Sequence, residues 1–152
     1  MANGRLLPID ASSRVTSHEI LVDGSAIPQT FEVLSILTHK EVNRIPSARI
    51  VLRDGSAAEE DFEISNTDTL IPGKSIEVKL GYAGDNTTVF KGIIIKHGIK
   101  IRNSGSVLEI ICKDESVKMT IGRKNKYFTE VTDSDAIEEI IGTYGLSKTV
   151  ES

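Results

Sequence analysis

Between Ser75 and Gly81 the chain alternates, with Ile76, Val78 and Leu80 on one side and Glu77 and Lys79 on the other. A period of two places successive side chains on opposite faces, so this segment predicts a half-buried strand. The same pattern marks Glu19 to Val22, closed by Asp23-Gly24, and Ala48 to Arg53, entered after Pro46 and closed by Asp54-Gly55. Phe31 to Val42 alternates too, but apolar residues occupy both faces early and polar ones late, which predicts a strand that enters the core and then leaves it. Further strands are predicted at Phe62-Glu63-Ile64, at Thr87 to Arg102 and at Val107 to Cys112. Gly92 and Gly98 interrupt the longest of these, where bulges or sharp bends are expected. Turns are predicted at Leu70-Ile71-Pro72-Gly73, Gly84-Asp85-Asn86 and Asn103-Ser104-Gly105, with a loop or single helical turn at Ser56 to Asp61.

The period changes near the C-terminus. Ile137, Ile140, Ile141 and Tyr144 form one helical stripe, which predicts a helix over Asp133 to Tyr144. Thr132 or Asp133 can cap its start, acidic residues crowd its first turns, and Gly145 supplies a left-handed stop. A shorter helix is predicted at Asp114 to Met119. Many short strands, one bent long strand and one terminal helix point to a mainly β fold, a small antiparallel barrel with a single C-terminal α-helix. The chain then divides into an N-terminal arm over 1–17, a β-barrel over 18–128, and a helix with its connector over 129–152.

Composition narrows this reading. With 152 residues the chain fits one domain with a core of its own. Tryptophan is absent and aromatic residues are 5%, so that core rests on Ile, Val and Leu, whose branching favours strands. No apolar run is long enough for a membrane span, and Met1 to Asp10 has no apolar stretch or cleavage site of a secretory signal. A single cysteine, Cys112, excludes an internal disulfide and points to synthesis in a reducing cytoplasm. The net charge of −4 gives no general reason to expect nucleic acid as a partner, but the charges are unevenly placed. Asp54 to Asp68 holds six acidic residues and no basic one, whereas Lys91 to Lys126 holds nine basic residues against three acidic. Such asymmetry can orient one subunit against another.

Candidate chemistry is thin. His18, His39 and His97 are far apart and lie outside any ligand spacing. Cys112 ends the alternation Leu108, Ile110, Cys112 and reads as a small buried hydrophobe. Asp133-x-Asp135 starts like a calcium loop but meets Ile137 where the next ligand belongs. Gly81-x-x-Gly84 and Gly122-Arg123-Lys124 lack phosphate-loop spacing, and Asn86-Thr87-Thr88 reads as a turn. Glu59-Glu60 is an adjacent pair in a loop with no pocket implied. The expectation is a chain that is not an enzyme, with no catalytic or metal residue and no cofactor. The cluster Arg123-Lys124-Asn125-Lys126, followed by Tyr127 and Phe128, could serve nucleic acid through phosphates and stacking, but reads more simply as a connector anchored by its aromatics.

An ordered series in the second half carries a resemblance. Ile76-Glu77-Val78-Lys79-Leu80-Gly81-Tyr82, then Gly84, then Val89-Phe90-Lys91-Gly92-Ile93-Ile94, resembles the strand, G-Y-x-G, V-F-x-G signature of VgrG-type spike proteins and gene D-like phage tail hubs. Leu108 to Asp114, Met119, the Arg123 to Phe128 cluster and the segment Thr132 to Leu146 continue that series, so the resemblance covers about residues 30–146. It implies a phage tail-hub type of barrel, the N-terminal hub barrel of a longer protein of type VI secretion or related contractile injection systems. It also implies a structural role, adapting a trimeric spike to a hexameric tube. The partners implied are two further copies in a homotrimer of the full-length protein, a hexameric tube protein, baseplate proteins and effector passengers, with no nucleic acid and no membrane anchor. Assembly would take place in the bacterial cytoplasm, followed by ejection to the extracellular space or a target cell. Lys91, Lys96, Lys100, Arg123, Lys124 and Lys126 are the candidate subunit-interface residues, expected to face acidic groups on a neighbour. A contractile phage tail baseplate hub, a carbohydrate- or peptide-binding β-module, and a hydrolase domain of a baseplate are the alternatives.

Overall fold

The computed structural model describes residues 15–55, 61–101 and 105–151. Its strands are β1 Thr16–Val22, β2 Ser25–Ala26, β3 Val33–His39, β4 Ser47–Arg53, β5 Ser75–Tyr82, β6 Asp85–Lys100 and β7 Val107–Lys113, followed by the helix α1 Asp133–Gly142. The strands form one seven-stranded antiparallel sheet in the order β2-β1-β5-β6-β7-β4-β3. Among the described residues no helix is long and apolar enough to cross a membrane.

Chain connectivity requires this sheet to curl. β2 and β3 lie at opposite edges, yet only the link from Ala26 to Val33 joins them. That link reaches at most about 25 Å, whereas strands roughly 4.8 Å apart would set the edges of a flat sheet about 29 Å from each other. The curled sheet wraps its inward rows around one core. Ile20 and Val22 of β1, Ala48, Ile50 and Leu52 of β4, and Ile76 and Val78 of β5 meet Phe90 and Ile94 of β6 and Leu108, Ile110 and Cys112 of β7. Ile64 and Leu70 from the β4–β5 connection join the same cluster. The mainly β, barrel-like fold with one helix is thus the product of the alternating rows read in the sequence.

Several boundaries differ from expectation, each for a local reason. Phe62-Glu63-Ile64 is not a strand but leads into a turn. The buried Asp54 carboxylate accepts from the backbone N–H of Gly55 at 3.0 Å, of Ile64 at 3.0 Å and of Ser65 at 2.9 Å, so these donors need no ladder partner. The strand expected over Phe31 to Val42 is trimmed to Val33–His39, because the Phe31 N–H donates to the Pro28 carbonyl in a turn before it. β1 starts at Thr16, ahead of the expected Glu19. The reversal expected at Gly84-Asp85-Asn86 is a two-residue hairpin turn at Ala83 and Gly84, with φ of 51° and 91°, closed by the pair Tyr82 and Asp85. Both φ are positive, as the twist of a tight hairpin requires.

The bulges are not at the glycines. The β5–β6 register slips past Val89 and the β6–β7 register past Ile95. Gly92 stays in the ladder opposite Ile76, where a Cβ would run into the Lys113 carbonyl, so its role is close backbone approach; at Gly98 a Cβ would make only an ordinary contact with the Lys96 side chain, at 3.8 Å. The helix expected over Asp114 to Met119 is a 3₁₀ segment, Glu115–Thr120, whose N-cap Asp114 accepts from the Ser116 N–H. α1 ends at Gly142 rather than Tyr144, with Gly145 at φ 67° just beyond it. Its start is a capping box, the Thr132 hydroxyl accepting from the Asp135 N–H and the Asp135 carboxylate accepting from the Thr132 N–H. The arm over 1–14, the loop over 56–60 and the first part of the turn at Asn103-Ser104-Gly105 lie outside the described residues.

Candidate subunit interface

The six basic residues read as interface candidates fall into two groups. Lys91, Lys96 and Lys100 are on β6, and Arg123, Lys124 and Lys126 are in the connector between the 3₁₀ segment and α1. Within the first group Lys91 lies 3.7 Å from Glu77, its pairing partner on β5. The Thr88 hydroxyl donates to Glu77 at 2.6 Å, and this bond, with the Lys91 and Lys79 charges, holds the Glu77 carboxyl below its ordinary value.

Lys100 is bound to its own sheet. It lies 2.8 Å from Glu109 of β7, which also pairs with Arg49 of β4. Glu109 is buried, although it belongs to the row that alternates with the core residues Leu108 and Ile110. Its carboxyl is held below the usual range, first by the hydrogen bond from Lys100 and then by the Arg49 and Lys100 charges, against the opposing effect of burial. The triad ties β4, β7 and β6 together across one face. Among the described residues Lys96 makes no ion pair.

In the connector, the Lys124 ammonium sits 4.4 Å from the centre of the Tyr144 ring and Lys126 pairs with Glu139 of α1. The aromatics read as anchors are unequal. Lys126 is 5.3 Å from the Phe128 ring, whereas Tyr127 is 96% exposed. Among the described residues Arg123 makes no ion pair. A cleft of about 620 Å³ opens between this connector and α1, lined by Met119, Phe128, Ile140 and Tyr144 together with Arg123, Lys124 and Lys126.

The structure also exposes apolar positions that sequence reasoning did not single out. Leu34 and Leu37 are exposed on β3, which among the described residues pairs only with β4, and Ile95 and Ile99 on β6 and Ile101 just past its end are exposed too. Past Ile94 that strand pairs, among the described residues, with β7 alone. The signal was present as apolar residues on both faces of the first segment and past Gly98 in the second, but periodicity does not say which edge stays open. Unpaired edges with apolar side chains are places where another chain can add.

The residues weighed for chemistry stay apart. His18 is on β1, His39 lies 3.2 Å from Glu41 at the end of β3, and His97 is on β6. Cys112 is buried in the core, and burial pushes its thiol up to about 12. Among the described residues no group of three His, Cys, Asp or Glu side chains could hold a metal ion.

Comparison with known proteins adds family and fold. A sequence family described as the Alg8 N-terminal domain matches residues 12–152. The chain belongs to the Alg8 N-terminal domain family. No curated protein matches it. Two solved structures share the fold of this Alg8 N-terminal domain. One is the tail protein from Neisseria meningitidis MC58, with a TM-score of 0.55 at 16% identity over 84% of this chain and 34% of that one. The other is the 43 kDa tail protein of prophage MuSo2 from Shewanella oneidensis, with a TM-score of 0.56 at 11% identity over 87% of this chain and 39% of that one. The chain therefore has a phage-tail-protein fold and spans little more than a third of the length of each.

Proposed function

We propose that this chain is a structural hub component of a contractile injection machine of the type VI secretion kind, helping to adapt a trimeric VgrG-type spike to a hexameric tube. The observation that carries the reading is the curled antiparallel sheet shared with two tail proteins, combined with the ordered motif series from Ile76 to Leu146. The edges of β3 and distal β6 that have no partner among the described residues, with Leu37 and Ile101 exposed beside them, are surfaces suited to neighbours in a ring. The role is mechanical and involves no reaction, so the chain is read as a non-enzyme. Its partners are further copies of the full-length protein, tube and baseplate proteins, with effectors as passengers. It would be made in the bacterial cytoplasm and ejected with the spike.

A contractile phage tail baseplate hub is the second reading, favoured by the prophage origin of one similar structure. Both predict co-purification of the full-length protein with its tube protein, and particle images showing three copies coaxial with a tube. The genes encoded around it then separate a phage tail from a secretion device. Glycan binding or peptidoglycan turnover without tube association would overturn both readings in favour of a binding module or hydrolase. Of the candidate cations, Lys96 is the cleanest probe of subunit contact, because Lys100 is already engaged by Glu109. Lys96→Glu is expected to weaken assembly with the tube while leaving the barrel folded; unchanged assembly would remove Lys96 from the interface.

A further inference from the structure

We propose that the cleft between the connector and α1 is a docking site for an acidic peptide segment of a partner protein, seated by an aromatic anchor. The inference stands independently of the hub reading, because it rests on this cleft alone.

The cleft joins two chemistries that a short acidic peptide would use together. Met119, Phe128, Ile140 and Tyr144 give it an apolar lining, and its volume of about 620 Å³ is ample for one aromatic side chain with its flanking backbone. Arg123, Lys124 and Lys126 line it as well, and among the described residues no acidic one does. In a chain of net charge −4 this is a local reversal of sign. Two of these cations are also available. Arg123 makes no ion pair among the described residues, and the Lys124 ammonium rests on the Tyr144 ring, where a carboxylate can approach it without displacing an existing carboxylate. Lys126 holds Glu139 and so fixes the wall of the cleft. Next to the lining residues in the chain, Tyr127 is 96% exposed and Ile121 70% exposed, and Ile140 is itself half-exposed. Exposed tyrosine and arginine beside an apolar pocket is the composition of a protein interface.

Charge selects the occupant. Nucleic acid would also be drawn to cations and aromatics, but it needs a continuous basic track. Here the cleft abuts α1, which carries Asp133, Asp135, Glu138 and Glu139 within one short helix. A polyphosphate chain running past the cleft meets those carboxylates, whereas a short peptide places a few acids against Arg123 and Lys124 and stops.

The test is fluorescence anisotropy with the full chain and a short fluorescein-labelled peptide in which Glu and Asp residues flank a central Phe. Saturable binding is expected, weakened roughly tenfold by Arg123→Glu and by replacing the central Phe with Ala. Rising salt should weaken it further. Ile140→Ser should act in the same direction. Arg123→Glu changes an exposed side chain outside the core, so it decides the matter even where Ile140→Ser frays α1. Absence of saturable binding, equal binding of a peptide with Lys in place of the acids, no effect of Arg123→Glu, or tighter binding of a short oligodeoxythymidine would overturn the proposal.

Discussion

In the barrel, β1 and β4 to β7 send alternate residues into one shared core, while from Lys113 to Glu151 no residue is buried. The two regions therefore rest on different physics. The barrel is held by apolar area removed from water around Phe90, Ile50 and Leu108, an effect that charge screening does not weaken. The connector and α1 are held by short-range polar devices: the Thr132–Asp135 capping box, the Lys126–Glu139 and Lys148–Glu138 pairs, and Lys124 on the Tyr144 ring. Each of these is individually modest and exposed to solvent. A region held this way can adjust to a partner, and its apolar stripe, half-exposed at Ile137 and Ile140, remains available for contact.

The largest loss is expected in the core. Phe90→Ala removes the largest fully buried side chain and is expected to cost about 3–5 kcal/mol in denaturant unfolding. Ile140→Ala on the exposed helix should cost less than about 1 kcal/mol. Equal losses from the two would mean that α1 belongs to the barrel's cooperative unit. Gly92→Val comes next, at roughly 1–3 kcal/mol, because its side chain would occupy the space of the Lys113 carbonyl and push β6 from the strand end it approaches. Hydrogen exchange should show the damage around the β6–β7 ladder and leave α1 unchanged.

Thr132→Ala probes the other side. Loss of the N-cap should cost about 1 kcal/mol locally, speeding amide exchange in α1 without lowering protection of β7. The smallest effect is expected at Glu109→Gln, below about 1 kcal/mol, since Arg49 and Lys100 are half-exposed and can return to water. Its sign is set by linkage. The folded carboxyl lies below its ordinary 4.5, so its stabilisation is present above that pH and is lost as pH falls through the lower folded value. The stability difference between wild type and Glu109→Gln should thus shrink on acidification, as measured by thermal unfolding across that range. A difference that grows in acid would reverse the assignment.

The strands most legible in the sequence were those with one buried face. Ile76-Val78 in β5 and Leu108-Ile110-Cys112 in β7 alternate cleanly, and both lie inside the sheet with their apolar rows in the core. The start of α1 was legible as well, because a cap is a local event among Thr132 and its next few residues. Phe62-Glu63-Ile64 misled because its apolar pattern matched a strand, while the Phe62 N–H donates to Asp61 and the Ile64 N–H to the Asp54 carboxylate ten residues away. The candidate interface was only partly legible. Charge runs marked Lys100 and Lys126, but their partners Glu109 and Glu139 come from other elements, so the sequence could not tell an engaged cation from an open one.

By itself the sequence determined local matters: which segments extend, which face of each is apolar, where the helix begins, and that Ile, Val and Leu would have to fill the core. These follow from periods of two and 3.6 and from turn chemistry, which act over a few residues. Tertiary structure alone decided the strand order, the bulges at Val89 and Ile95, the edges left unpaired and the cleft beside α1. Those depend on contacts between residues far apart in the chain, where the short link from Ala26 to Val33 forces the sheet to curl and thereby chooses which side chains meet.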